Sequence, residues 1–378
     1  MHYLDNAATT QVSALAAQTA ADILVRHWAN PSALYKPGAQ SEQVLSAARA
    51  DVAARLGCTA GEIVFTACGS ESNNLAILGA VHARRAWSSH IVVTGFEHPS
   101  VQQPVAALEK DGFTVTVVQP DAEGHVDMEA MINAVTRQTA LVCCMHVNNE
   151  IGALQDVAAL AAAVKQINSR TAVHVDGVQA WCKQPVRLAD TQIDTYSVSG
   201  HKIHAPKGVG ALYLRKGFHI LPPYLGGGQE RGLRPGTENI AFIAAMAAAA
   251  KETQGAYKAN AQRIAQELNA PLRAALAQMP DITFNSPPDA VADILNFSVK
   301  NIKSETMLHY LESKDIYVSS GSACSKGAAS HTLGAMGLDK SRTDTAVRVS
   351  FSTASTAADV QALIGALQSG LQEIAKIR

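Results

Sequence analysis

The chain is short of charge, and the charge it has nearly cancels. Only 17% of its 378 residues are charged, 31 basic against 32 acidic, for a formal net charge of −1. That balance gives no electrostatic reason to expect a nucleic acid or an anionic membrane as a partner. Long apolar runs are missing as well. The longest, residues 240–250, stops at Lys251 and is too short to span a bilayer. No basic stretch followed by an apolar one stands ahead of Tyr3-Leu4-Asp5, so no secretory signal is expected. The six cysteines, at 58, 68, 143, 144, 182 and 324, show no paired spacing and read as reduced thiols of a cytoplasmic protein. A metal site is not expected. Cys143 and Cys144 are neighbours on a strand-like run and point to opposite faces, so both cannot easily reach one ion. Internal repeats and low-complexity linkers are also lacking.

Apolar residues are plentiful at 47%, enough for a large core, and the length allows two or three domains. An Ala-rich helix is expected over 13–28 and another over 43–56. From residue 62 to 214 strand-like runs (63–66, 90–94, 114–118, 140–146, 172–176, 195–199, 211–214) alternate with helical ones (75–86, 100–110, 128–134, 157–167). Several strands are continuously apolar, as strands covered on both faces of a mainly parallel sheet must be. The pattern predicts one doubly wound α/β layer structure. A long helix over 240–254 leads out of it. Beyond lies an α+β pattern: helices 262–278, 305–314 and 358–374, with strands 292–298, 317–319 and 347–351.

Three stretches of the first region carry chemistry. Ser199-Gly200-His201-Lys202 follows a strand end, where a partly buried lysine is suited to Schiff-base formation with a carbonyl cofactor. Alone it reads more readily as a surface lysine in a loop. Asp176 closes the run Thr171-Ala172-Val173-His174-Val175-Asp176, at the edge of an α/β sheet where ligands bind. A carboxylate there could hold the ring proton of pyridoxal phosphate, or simply cap a helix. Cys68-Gly69-Ser70-Glu71-Ser72-Asn73-Asn74 follows the 63–66 strand and precedes an apolar helical run. Its free amides suit a phosphate, and it also fits an ordinary capping box.

These pieces stand in the order and spacing of class V aminotransferase-fold enzymes. Four more narrow the resemblance: Tyr3-Leu4-Asp5-Asn6-Ala7-Ala8-Thr9-Thr10; His146-Val147-Asn148-Asn149-Glu150-Ile151-Gly152; Gly226-Gly227-Gly228-Gln229-Glu230-Arg231-Gly232-Leu233-Arg234-Pro235-Gly236-Thr237; and Ser319-Ser320-Gly321-Ser322-Ala323-Cys324. From residue 3 to about 353 the chain resembles the group I, NifS/IscS-like cysteine desulfurases.

The resemblance implies the type I fold of pyridoxal phosphate-dependent transferases. A large domain (13–254) would hold a mainly parallel seven-stranded sheet between helices. A smaller α+β domain (1–12 with 255–378) would carry the catalytic cysteine. It further implies that Lys202 holds the cofactor and shuttles protons, with Asp176 on its ring nitrogen and Gln179 and Asn149 on its phenolic oxygen. Gly69, Ser70, Ser199 and His201 match phosphate positions, as does Thr237, which in the family comes from a neighbouring subunit and so implies a homodimer. His98 matches a ring-stacking residue active in proton transfer, and Arg348 a clamp on the substrate carboxylate. Cys324 would take the sulfur of L-cysteine as a persulfide, release alanine and pass the sulfur to an acceptor or scaffold protein for iron–sulfur cluster assembly or thiolation. Small neighbours suggest an exposed loop there, and Lys326 favours the reactive thiolate. The alternatives are a selenocysteine lyase, another enzyme of the same fold, or a non-catalytic cofactor-binding scaffold.

Overall fold

The structure, a computed structural model, describes residues 1–320 and 330–375, without the side chains of residues 257 and 258. Cys324 lies outside the described residues.

The chain opens with a two-residue strand, β1 (His2–Tyr3), then helices α1 (Ala14–Arg26) and α2 (Lys36–Leu56). The next elements are β2 (Ile63–Thr66), α3 (Gly69–His82), β3 (His90–Thr94), α4 (Pro99–Lys110), β4 (Thr114–Val118), α5 (Met128–Asn133), β5 (Thr139–Cys143), α6 (Val157–Ile167), β6 (Ala172–Asp176), β7 (Thr195–Ser199) and β8 (Gly210–Leu214). Strands β2 to β8 form one seven-stranded sheet in the order β2-β8-β7-β6-β5-β3-β4. Only β8 runs against its neighbours; every other pairing is parallel. The mainly parallel seven-stranded sheet is as expected. Strands β5, β6 and β7 are buried along their whole length, while β4 at the edge has only exposed and half-buried positions. One face packs on Val52 and Leu56 of α2 and Leu160 of α6, the other on Leu75 and Ile77 of α3 and Val105 of α4.

Helix α7 (Ile240–Gly255) leaves this layer and packs on α1 and α2. After it come α8 (Tyr257–Arg263), a π-helical stretch (Ile264–Asn269) and α9 (Ala270–Leu276), where a single helix over 262–278 was expected. Pro271 has no N–H to give the carbonyl of residue 267, and the wider turn accommodates that missing donor. Strands β9 (Ile282–Phe284), β10 (Ile294–Val299) and β12 (Ala346–Ser350) form a small antiparallel sheet. Around it lie α10 (Ser304–Glu312), β11 (Ile316–Tyr317), two short helices α11 (His331–Ala335) and α12 (Lys340–Thr343), and α13 (Ala357–Glu373). A second apolar core joins Leu4 to Leu268, Phe297, Val347 and Leu363. The first residues are tied in by β1, which pairs in parallel with β11. Strand β9 and helices α11 and α12 escape sequence reading, since three to five residues show no usable period.

Helix α3 begins at Gly69, six residues before the apolar run that signals it, and α2 begins at Lys36 instead of 43. In both, the first turn is polar or glycine-bearing because it faces a loop or the site instead of the core. Pro37 fits the first turn of α2, where its missing donor costs nothing.

Candidate active site

A cavity of about 510 Å3 opens at the C-terminal edge of the large sheet. Strands β6 and β7 are parallel neighbours, so Asp176 and Ser199 arrive at the same edge. The chain turns sharply after each. At Gly177 a Cβ would lie 1.9 Å from a ring carbon of Tyr196, so only glycine fits after Asp176.

Past Ser199, a single 3₁₀ turn (Gly200–Lys202) carries Lys202 into the cavity. Its amine donates to the carbonyls of Ala7 (2.5 Å) and Ala8 (2.8 Å). Burial, then the positive charges of Arg348 and Lys183, lowers the Lys202 pKa from 10.5 to about 7. The N-terminal segment is laced to this turn further along. Thr10 accepts from His204 N and donates to the His201 carbonyl, and the Thr9 hydroxyl meets His201 Nδ1 at 3.2 Å.

Asp176 accepts from Asn73 Nδ2 at 2.8 Å and from the Val178 amide at 3.0 Å. Gln179 lines the cavity too and donates to the Ala7 carbonyl at 2.8 Å. His98 stands at the N-terminus of α4, with burial holding it below the usual histidine range. Next to it, Glu97 is buried at the cavity wall and accepts from Thr94 Oγ1 (2.6 Å) and the Met145 amide (2.7 Å). Burial pushes its carboxyl up to about 8, so it is mostly protonated at neutral pH.

The N-terminus of α3 forms one end of the cavity. Its N-cap, Cys68, makes no side-chain cap, so the expected capping box is absent and the first amides keep their hydrogens for a ligand. Gly69 is needed there: a Cβ would stand 2.7 Å from Val178 Cγ2. The Ser199 hydroxyl is buried at the same end with no hydrogen-bond partner among the described residues. His201 also lines this cavity, with burial and then the Lys202 charge lowering its pKa to about 4. Helix amides, a positive dipole end, Ser70 and an orphaned hydroxyl suit the phosphate of pyridoxal phosphate. Lys202 and Asp176, an amine and a carboxylate lining the same cavity, are groups of the kind that an aldehyde and a pyridine nitrogen bind. The residues present fit that cofactor.

Arg348 enters from β12. It is fully buried, its Nη2 2.6 Å from Asp5 Oδ1 and its Nη1 3.0 Å from the Asn149 carbonyl. Beside Asn149, Glu150 accepts from the hydroxyls of Ser330 (2.5 Å) and Thr332 (3.0 Å).

Ten of the sequence-derived site residues thus line one cavity: Gly69, Ser70, His98, Asn149, Asp176, Gln179, Ser199, His201, Lys202 and Arg348. Thr237 does not. It is exposed, in a segment that Glu230 pins to β2 through Arg49 (2.6 Å) and the Phe65 amide (2.9 Å). Arg234 of the same segment reaches Glu71 in the first turn of α3 at 2.8 Å. Sequence reasoning passed over Asn73, Glu97 and Glu150 as site residues. Asn73 and Glu150 sit inside the stretches 68–74 and 146–152, and Glu97 is next to His98; that adjacency was the available signal.

The aminotransferase class-V family model matches residues 2–363. The chain belongs to the class-V aminotransferases. Within them it is 39% identical to a "NifS/IcsS protein homolog" of Lactobacillus delbrueckii subsp. bulgaricus, over all of this chain and 99% of that one. It is 38% identical to a cysteine desulfurase of Nostoc sp., over 96% of this chain and 90% of the relative. A solved structure named as a NifS-like protein superposes with a TM-score of 0.93 at 32% identity, covering 98% of this chain and 99% of the other. This class-V chain therefore sits in the NifS/IscS-like cysteine desulfurase branch, and its fold is that of the branch.

Proposed function

We propose that the chain is a pyridoxal phosphate-dependent cysteine desulfurase that converts L-cysteine to L-alanine and passes the sulfur, through Cys324, to an acceptor protein. The observation that carries this reading is the shared cavity, in which a lysine amine at about 7, a strand-end aspartate and a buried arginine face one another across the site. When bound, the cofactor supplies an aldehyde that captures amines and a cationic ring that withdraws electrons.

The chain's own residues supply the rest. Arg348, already aimed by Asp5, takes the substrate carboxylate in its guanidinium fork. Asp176, held by Asn73 and the Val178 amide, keeps a proton on the ring nitrogen. Lys202, neutral for much of the time near pH 7, takes and returns the proton at the substrate α-carbon. The α3 N-terminus, Ser199 and His201 hold the phosphate. The Cys324 thiolate attacks the substrate sulfur. The carbon–sulfur electron pair stays with carbon, which gains a proton to become the alanine methyl, and a sulfur–sulfur bond forms on the enzyme.

We also propose two domains, 13–254 and 1–12 with 255–378, and a homodimer. Leu24, Val25, Trp28, Leu34 and Leu225 are exposed apolar side chains that a second copy would cover. Exposed Thr237 fits a role in the partner's phosphate site. Five of the cysteines are free, which suits a reducing cytoplasm. No helix among the described residues is long and apolar enough to cross a membrane. The deciding assay incubates the loaded protein with L-cysteine and a thiol reductant and measures alanine and sulfide. Equal amounts of both are expected, with loss in Cys324→Ala. Full sulfide release by that variant would overturn the role of Cys324, and no turnover by the native protein would favour a scaffold.

A further inference from the structure

Behind the cavity a chain of hydrogen bonds connects Asp176 to His98. Asn73 is fully buried and sits at its centre. Its Nδ2 lies 2.8 Å from Asp176 Oδ2 and 2.8 Å from Ser100 Oγ. Its Oδ1 lies 3.0 Å from His174 Nε2, and His174 Nδ1 lies 2.9 Å from Thr195 Oγ1. Ser100 Oγ lies 2.7 Å from His98 Nδ1, and the Ser100 amide also points at that nitrogen, at 3.1 Å.

The chemistry of these groups leaves one arrangement of hydrogens. A carboxylate only accepts, so the Asn73 NH2 must face Asp176. Its carbonyl oxygen then faces His174, whose Nε2 must carry a hydrogen. The second Asn73 hydrogen points at Ser100 Oγ, so the serine turns its own hydrogen toward His98. The Ser100 backbone N–H points the same way and can never accept. His98 Nδ1 therefore faces two donors and must be bare.

We propose that Asn73 is a positioning residue that transmits the charge of Asp176 through Ser100 and holds His98 as the neutral tautomer with its hydrogen on Nε2. His98 Nε2 makes no hydrogen bond within the described chain, and it is the ring nitrogen left for the cavity. In this form His98 presents a donor to the reacting groups and cannot accept a proton without losing its contacts to Ser100. Proton acceptance falls to the Lys202 amine. The helix adds to the lock, because His98 is the N-cap of the twelve-residue α4, and an imidazolium there would oppose the positive end of the dipole. Burial also disfavours the charged ring.

The inference rests on this cavity being the desulfurase active site, and its test separates the two. Nitrogen NMR of protein labelled only at histidine, loaded with pyridoxal phosphate, reads the tautomer of His98 directly, with His98→Gln assigning the signal. A bare Nδ1 and a protonated Nε2 are expected near neutral pH. The backbone N–H of residue 100 still faces Nδ1 in Asn73→Leu and Ser100→Ala, so the shift is partial: with the hydroxyl donor lost, the Nδ1-protonated share should rise about fivefold, the worth of one hydrogen bond, and Ser100→Thr, which keeps the hydroxyl, should return it to the native level. Alanine formation should follow: kcat about tenfold lower in Ser100→Ala with KM within about twofold, a fraction of what a positioned proton-transfer group contributes. If Asn73→Leu does not fold, Ser100→Ala, whose side chain is only half-buried, carries the comparison. A hydrogen on Nδ1 in the native protein, or an unaltered tautomer in every folded variant, overturns the proposal. Absence of alanine from the native protein would instead sink the desulfurase reading, whatever the NMR shows.

Discussion

Lys202 and Asp176 stand at strand ends of the large sheet, whereas Arg348 sits in the middle of β12, a strand buried along its whole length. The strand-end groups are held by turns, backbone groups and the Asn73 amide, and burial keeps the charge of the Lys202 amine low. The mid-strand arginine cannot shed its proton, so a neighbouring carboxylate, Asp5 at 2.6 Å, compensates its charge. A reactive amine needs to lose its charge easily, and a clamp for an anion needs to keep it. The two placements answer those opposite demands.

Substitution at the two positions should separate these designs. Lys202→Ala is expected to cut cysteine turnover by about four orders of magnitude and to abolish visible absorption from a lysine-bound cofactor. It should not lower the melting temperature. The native lysine is destabilising at neutral pH and below, because the fold depresses its pKa from 10.5 to about 7 and resists the proton that the unfolded chain binds. Arg348→Met should do the reverse. Its kcat should fall less, KM for cysteine should rise about thirtyfold to a hundredfold, and thermal unfolding should come earlier, since Asp5 loses its partner. A variant as stable as the native protein would show that the Asp5–Arg348 pair contributes nothing to the small sheet.

Acidity sharpens the comparison further. The amine reacts only when neutral, so the rate at which cofactor-free protein captures pyridoxal phosphate should climb about tenfold from pH 6 to a plateau above pH 8, with its midpoint near 7. Stopped-flow absorbance measures this. Stability should move in the same direction, rising between pH 7 and 10.5 where the unfolded lysine is charged and the folded one is not. A midpoint near 10 would remove the argument from burial. The smallest effect belongs to the phosphate end. Ser199→Ala removes one hydroxyl, and cofactor affinity by fluorescence titration should fall about fivefold, the worth of one hydrogen bond.

The large sheet was legible because five of its seven strands hold a run of four or more apolar or β-branched residues, a composition that buried strands need, and only β6 and β7 are broken, by His174 and Ser197. Lys202, Asp176 and Gly69 were legible because a strand end fixes where such residues go. Asn73 was not. An asparagine in the first turns of a helix looks like any polar residue there, and its role comes from Asp176 and His174, more than 100 positions away. The anchoring of the 226–237 segment was hidden for a similar reason. Glycines announce a loop, but only the folded chain shows Glu230 meeting Arg49. Pro271 was visible in the sequence, yet helical spacing on both sides masked the π-helical interruption.

The Lys202 amine leans on Ala7 and Ala8, and those residues are themselves held by the far end of the chain: the Ala7 amide donates to Ser350 Oγ at 2.8 Å and Asn6 Nδ2 to the Ser350 carbonyl at 2.9 Å. During synthesis the first residues leave the ribosome hundreds of codons before the ones that dock them. A growing polypeptide can therefore lay Thr9 and Thr10 against His201 and His204 as soon as that turn exists, while the Ala7 end of the lysine's wall gains its last two contacts only after translation has passed residue 350.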